Sequence, residues 1–361
     1  MNTISPEQRA NRAVSNWILL GVIMLLVQVL LGGITRLTGS GLSITEWNVV
    51  TGALPPLNQQ QWMAEFDKYR QTPQFRLLNT DFTLHDFKCI FFWEWFHRLW
   101  ARLIGVAFIA GFAYLLVKRY LKKEMINPLL FLFFFGAFQG AIGWIMVASG
   151  LTGDAIYVRP TKLAMHFIFA LGLIAYAFWF ALQLKISPKN KIADRSIHRF
   201  TWALVLLLFV QLIFGALMAG HKAATAAPTW PAINGAWVPD GMFREKPVTL
   251  NFVDNKITIH FIHRGLAYLL LILIVIYSAK IFGVAPVNKV FAQARRLPLV
   301  LVTLQVLLGI VSVLTSTRII PNRWGIFEWM AQLHQLTGML LLLSLVAMLF
   351  LTRRSSFTQP S

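Results

Sequence analysis

Long apolar runs separated by short polar stretches recur from residue 15 to residue 352, and their length sets the fold class. A helix of about 20 apolar residues crosses roughly 30 Å of hydrocarbon. In lipid, helices and closed barrels alone satisfy every backbone group. We read eight spans, at about 15–36, 88–117, 127–149, 160–184, 200–220, 257–284, 297–316 and 325–352. The pattern predicts an all-α integral membrane protein.

The polar stretches then give an orientation. Lys and Arg gather in the connections after even-numbered spans (Lys118-Arg119-Tyr120-Leu121-Lys122-Lys123, then Lys185 through Arg199, then Lys289 to Arg296) and in Arg353-Arg354. The bias places both termini in the cytoplasm. It leaves a cytoplasmic tail at 1–14, a basic cytoplasmic linker at 185–199 and a second tail at 353–361. The long loops 37–87 and 221–256 then face outward, and their Gly, Pro and Trp content suits ordered caps over a site.

Composition adds to this picture at two points. A chain 57% hydrophobic with 13% charge cannot hide its apolar surface as a soluble domain. The net charge of +19 follows the positive-inside distribution, which argues for contact with membrane lipid and against nucleic acid. Residues 1–14 lack the Arg- and Ser-rich amphipathic character of an import presequence, so the expected location is a bacterial plasma (inner) membrane. Cys89 is the only cysteine, which rules out an intrachain disulfide and a thiolate metal cluster.

An internal repeat runs through the spans. Gln28, Gln139, Gln211 and Gln305 each precede a glycine by four residues (Gly32, Gly143, Gly215, Gly309), one pair in every odd-numbered span. Small residues let membrane helices approach, and an intramembrane Gln can bond a neighbour. The even-numbered spans carry His97, His166, His263 and His334, with offsets of 166 and 168 residues between halves. Two pseudo-symmetric four-helix bundles, residues 15–184 and 200–352, are the simplest account.

Ionisable residues at membrane depth mark function. The four histidines fall six to ten residues into parallel spans and share one layer. Two imidazoles per bundle, without cysteine, suit the axial positions of an iron porphyrin better than the three or four close ligands of zinc. His85, His198 and His221 lie at the ends of spans and read as solvated or interfacial. His260 stands three residues before His263, as Glu94 stands before His97; a polar packing role and a place in the second pocket both remain open.

Glu94 breaks the symmetry between halves. A carboxylate beside iron can relay protons or stabilise a cation on a substrate, which would make the N-terminal half the reaction site. The plain alternative is an ion pair with Arg98 or Arg102 on its own helix. Arg98 and Arg264 adjoin histidines in both halves and could hold haem propionates, or else snorkel to the interface. Residues alone also allow a di-haem b electron-transfer protein or a haem-delivery protein without catalysis. Phe131 to Phe135 read as lipid-facing or packing residues.

At these residues the chain resembles the haem A synthase family. The resemblance rests on Gly32-Gly33-Ile34-Thr35-Arg36-Leu37-Thr38-Gly39-Ser40-Gly41-Leu42-Ser43, on Thr45-Glu46-Trp47 and on Gly52-Ala53-Leu54-Pro55-Pro56-Leu57. It continues through Glu65-Phe66, Tyr69, Phe87-Lys88, Glu94, His97-Arg98 and Arg102-Leu103-Ile104-Gly105. In the second half it includes Thr229-Trp230-Pro231, Gly235, His263-Arg264, Ala267-Tyr268 and His334-Gln335. The absence of a cysteine pair from the first outer loop is similar to the mitochondrial-type and alphaproteobacterial branch. Asp86 and His260 depart from the Glu and Gln that the family pattern leads us to expect.

The resemblance implies oxidation of the C8 methyl of haem O to a formyl group by successive hydroxylations. It implies that His97 and His166 hold the substrate haem, that His263 and His334 ligate a haem b, and that Glu94 matches the family's important glutamate. It further implies haem O synthase as a partner, an electron donor that the sequence does not identify, and a product destined for aa3-type cytochrome oxidases. A homo-oligomer stays open.

Overall fold

The computed structural model describes residues 5–46, 51–187, 191–320 and 323–353, apart from the side chain of Thr51. Trp47 and Arg354 therefore lie outside the described residues. Among those described, eight helices are long and apolar enough to cross a membrane, and the only β feature is one isolated bridge between Ile233 and Ala236. The protein is an all-α, multi-pass membrane protein.

In chain order the helices are α1 (Pro6–Leu37), α2 (Gln59–Arg70), α3 (Pro73–Leu78), α4 (Leu84–Val117), α5 (Lys123–Ala148) and α6 (Pro160–Lys185). They continue as α7 (Arg195–Gly220), α8 (Lys256–Phe282), α9 (Lys289–Ala294), α10 (Leu297–Thr315) and α11 (Ile326–Leu351). The spanning helices are α1, α4 to α8, α10 and α11, and every expected span coincides with one of them. The ends differ where capping chemistry extends a helix beyond its apolar run. Ser5 and Gln8 form a capping box, with Pro6 at the first helical position, so α1 begins about nine residues before the apolar stretch. Thr83 and Asp86 do the same for α4, and Asp194 caps α7 within the basic linker.

Helix α1 packs on α4 and α6, and α5 packs on α6 and α4. The second half repeats this order, with α7 on α8 and α11 and with α10 on α11 and α8. Helix α6 meets α7 and α11, while α1 also touches α11. At that last contact Gln332 donates to the Leu30 carbonyl and Gln335 to the Val29 carbonyl, each at 3.0 Å.

The fully buried apolar core occupies one end of the molecule. It joins Val14 and Ile18 of α1 to Leu115, Met125, Phe180, Leu204, Tyr277, Leu345 and Phe350. Phe131, Phe133 and Phe134 lie on the exterior of α5, as a lipid-facing surface requires. Toward the opposite ends the buried apolar residues of α6, α7 and α8 thin to a small cluster of Ala164, Ala216, Leu217 and Ile259, and the helices surround a cavity.

Over that end lies a cap built from the first long loop. Trp62, Phe66 and Tyr69 of α2 pack on Phe87 and Phe91 of α4. Burial pushes the Tyr69 phenol up to about 12, so it keeps its proton across any physiological range. Its hydroxyl donates to Gln74 at 3.1 Å and accepts from Asn79 at 2.7 Å. Gln74 in turn donates to the Gly39 carbonyl, which ties the cap to the turn that follows α1.

Candidate functional site

A cavity of about 930 Å³ is lined by His97, His166, His263 and His334 together. The helices place the four rings by one repeated device. An added Cβ would stand 3.3 Å from His97 Cε1 at Gly32, 2.9 Å from His166 Cε1 at Gly143, 3.1 Å from His263 Cε1 at Gly215 and 2.9 Å from His334 Cε1 at Gly309. Each glycine of the repeat is thus a hollow in an odd-numbered span that seats the imidazole of an even-numbered one.

In three of the four cases the glutamine one turn earlier contacts the same histidine. Gln28 donates to the His97 carbonyl at 3.3 Å, and Gln139 donates to the His166 carbonyl at 2.8 Å while lying 3.1 Å from its Nδ1. His263 Nδ1 is buried with no hydrogen-bond partner among the described residues. His334 Nδ1 lies 3.0 Å from the Gln305 carbonyl. A carbonyl only accepts, so this contact puts the proton on Nδ1, while the Nε2 lone pair faces the Gln305 amide nitrogen at 3.4 Å. The amide oxygens of all four glutamines are buried with no hydrogen-bond partner.

The His263 and His334 rings stand 6.3 Å apart, centre to centre, with planes at 81°. An iron about 2 Å from each of two opposed imidazole nitrogens separates the ring centres by roughly 6 Å. The spacing therefore fits a porphyrin with two axial histidines. Among the described residues no group of three or more His, Cys, Asp or Glu side chains is placed to hold a metal ion. Paired imidazoles are what the cavity offers, and that donor set suits haem better than zinc.

Glu94 is buried, and its contacts are well defined. Oε2 accepts from the Ser43 amide at 2.7 Å, the Ser43 hydroxyl at 2.7 Å and the Ile44 amide at 3.0 Å. Oε1 pairs with Arg98 Nη2 at 2.5 Å. The same guanidinium donates to the Ile44 and Glu46 carbonyls. The loop after α1 is therefore docked on α4 through one ion pair, and the Glu94–Arg98 pairing open in the sequence is present.

The second half answers with an equivalent clamp. Arg264 Nε donates to His260 Nε2 at 3.1 Å, and its Nη groups donate to the carbonyls of Ala227, Thr229, Pro231 and Ala232. His260, fully buried, stands where Glu94 stands in the first half. Arg98 and Arg264 still line the cavity, but Arg98 is held by Glu94 and two loop carbonyls, and Arg264 by His260 and four. His85 is exposed at 4.0 Å from Cys89, His198 faces Thr352 and His221 donates to the Val253 carbonyl.

Two features of the cavity did not follow from sequence reasoning. Ser43 and Ile44 reach Glu94 through their main-chain amides, joined by the Ser43 hydroxyl, and main-chain groups carry no side-chain signal. Arg36 also lines the cavity, and a signal for it existed. It follows Gly32 by four residues, and so shares a face with the His97 seat.

Eight membrane-crossing helices with four glycine-seated histidines around one cavity define a multi-pass membrane protein whose imidazoles face a common interior space. Residues 15–346 match the family of cytochrome oxidase assembly proteins, COX15-CtaA, and the chain belongs to that family. It is 42% identical over 275 residues to the haem A synthase of Parvibaculum lavamentivorans, covering 76% of this chain and 79% of the relative. The haem A synthase of Paracoccus denitrificans is 40% identical over 324 residues (85% and 82% of the two chains). That of Bradyrhizobium diazoefficiens is 41% identical over 326 residues, or 88% of each chain.

Proposed function

We propose that this protein is a haem A synthase that oxidises the C8 methyl of haem O to a formyl group by successive hydroxylations. The observation that carries the reading is the set of four imidazoles, each on a glycine hollow, around one cavity. His97 and His166 hold the substrate haem in an N-terminal four-helix bundle. His263 and His334 ligate a haem b in a C-terminal bundle, which passes electrons. The repeated helix neighbours and the 6.3 Å ring separation support this division. Both termini lie in the cytoplasm, and the membrane is the bacterial inner membrane. Haem O synthase supplies the substrate, and an electron donor completes the cycle.

Bound haem supplies the iron at which oxygen is activated. The chain's own residues fix everything around it. His97 and His166 hold the porphyrin between α4 and α6. Glu94 offers a fixed carboxylate beside His97. All its contacts in the structure come from donors, which suits a carboxylate that stabilises positive charge developing on the substrate. His260 takes that position in the other half, where no substrate is oxidised. The loop docked on Glu94 limits the entry of water.

The equivalent seats in the two halves also favour a second reading, a di-haem b electron-transfer protein. Expression in a host that makes haem O but lacks this activity separates the two. Extracted pigment should contain haem A by mass spectrometry. Two permanently bound b-type haems with no haem O or haem A would overturn the proposal.

A further inference from the structure

Five basic side chains line the cavity among the described residues (Arg36, Arg98, Arg102, Lys222 and Arg264) against two carboxylates, Glu94 and Glu328. Both carboxylates are engaged, Glu94 by Arg98 and the Ser43–Ile44 loop, Glu328 by the Gly325 amide at the start of α11. Lys222 lies over the Tyr157 ring at 3.8 Å, and Arg264 is held by loop carbonyls. Arg36 differs from these. It is half-buried in the wall of the cavity, and among the described residues no hydrogen bond or ion pair engages its guanidinium. A cation so placed, in the last turn of a spanning helix and facing the cavity, is available to an anion of the ligand.

Its position says which part of the ligand. Gly32 seats His97, and Arg36 follows on the same face of α1, one turn (about 5.4 Å) nearer the loop end. A porphyrin held at His97 thus has its rim within reach of that guanidinium. The only anionic groups of a haem are its two propionates. In haem O the C8 methyl and one propionate share a pyrrole ring, so holding that propionate fixes the methyl beside it.

We propose that Arg36 binds a propionate of the substrate haem at His97 and thereby selects which methyl group is presented for oxidation. The inference rests on the assignment of His97 to the substrate site. Arg36 is a positioning residue; a fork of N–H donors matches a carboxylate where a lysine offers a point charge.

The test is a titration of full-length protein in phosphatidylcholine nanodiscs with ferric haem O and, separately, its dimethyl ester, followed by the His97-dependent absorbance change. Wild type should bind the diacid roughly 10- to 100-fold more tightly than the ester, as a charge-assisted hydrogen bond predicts. Arg36→Gln should lose at least tenfold of that preference, and Arg36→Lys should keep part of it. The b-type haem spectrum reports that each variant is folded. An unchanged preference in Arg36→Gln overturns the inference. So does a preference that follows only the content of anionic phosphatidylglycerol in the disc, because Arg36 would then serve a lipid phosphate. If neither haem gives a His97-dependent change in wild type, the substrate-site assignment fails as well, which distinguishes the two failures.

Discussion

Gly143 and Gly309 leave the least room of the four seats, since a methyl group at either would lie 2.9 Å from an imidazole Cε1. Gly143→Ala and Gly309→Ala should therefore displace His166 and His334, at a cost of about 1–3 kcal/mol from overpacking. The ratio of haem to purified protein should fall for both. Gly105→Ala, where nothing stands within 4 Å of the new Cβ, should leave that ratio at the wild-type value; if it fell equally, the loss would not report on seating. Glu94 gives a second expectation at this scale. Glu94→Gln keeps an acceptor for Ser43 but removes the charge, so haem should stay bound while formyl product falls by two orders of magnitude or more. Normal haem A formation in that variant would leave the carboxylate without a chemical role. The Gln and Gly repeat was visible in the sequence, yet its meaning was not. Spacing along one helix shows that two positions share a face, but not that the opposing object is an imidazole.

At the scale of elements, the loops are held by arginines that the sequence suggested for propionates. Arg98 and Arg264 bind main-chain carbonyls, and a carbonyl acceptor exists at every residue, so no pattern in the sequence could reveal it. The clamp predicts that Arg264→Ala frees the segment from Ala227 to Ala232, whose carbonyls it now gathers. Hydrogen exchange of amides 227–236 should accelerate by tenfold or more, with exchange in α10 unaltered as the control. Tyr69→Phe should act more mildly on the first cap, by about 1 kcal/mol, because it removes the link from Asn79 to Gln74. Faster proteolysis between α1 and α4 would register it. By contrast, the spans themselves were fully legible, since apolar length in a bilayer leaves few alternatives. Their ends were less so, because the caps at Ser5, Thr83 and Asp194 extend helices into polar sequence.

For the whole molecule, the distribution of Lys and Arg predicts an orientation. Epitope tags at either terminus should be protected in right-side-out vesicles and digested in inverted ones. Protection of one tag in inverted vesicles would contradict the assignment of both ends to the cytoplasm. The matched histidines suggested a duplication, and the helix neighbours follow the same order in the two halves. What no repeat could foretell is how the copies meet, since that contact is made once. It is made by α6 against α7 and α11 and by α1 against α11, and on α1 consecutive glycines point in different directions: Gly32 toward His97, Gly33 toward Gln332 and Gln335, which flank His334 on α11. At this point adjacent backbone positions of one helix bear on opposite halves of the cavity: a methyl group at Gly32 would press on His97, and one at Gly33 on the glutamines beside His334. Bulk added to this turn is therefore felt at both pairs of imidazoles, so neither pair can be retuned here in isolation.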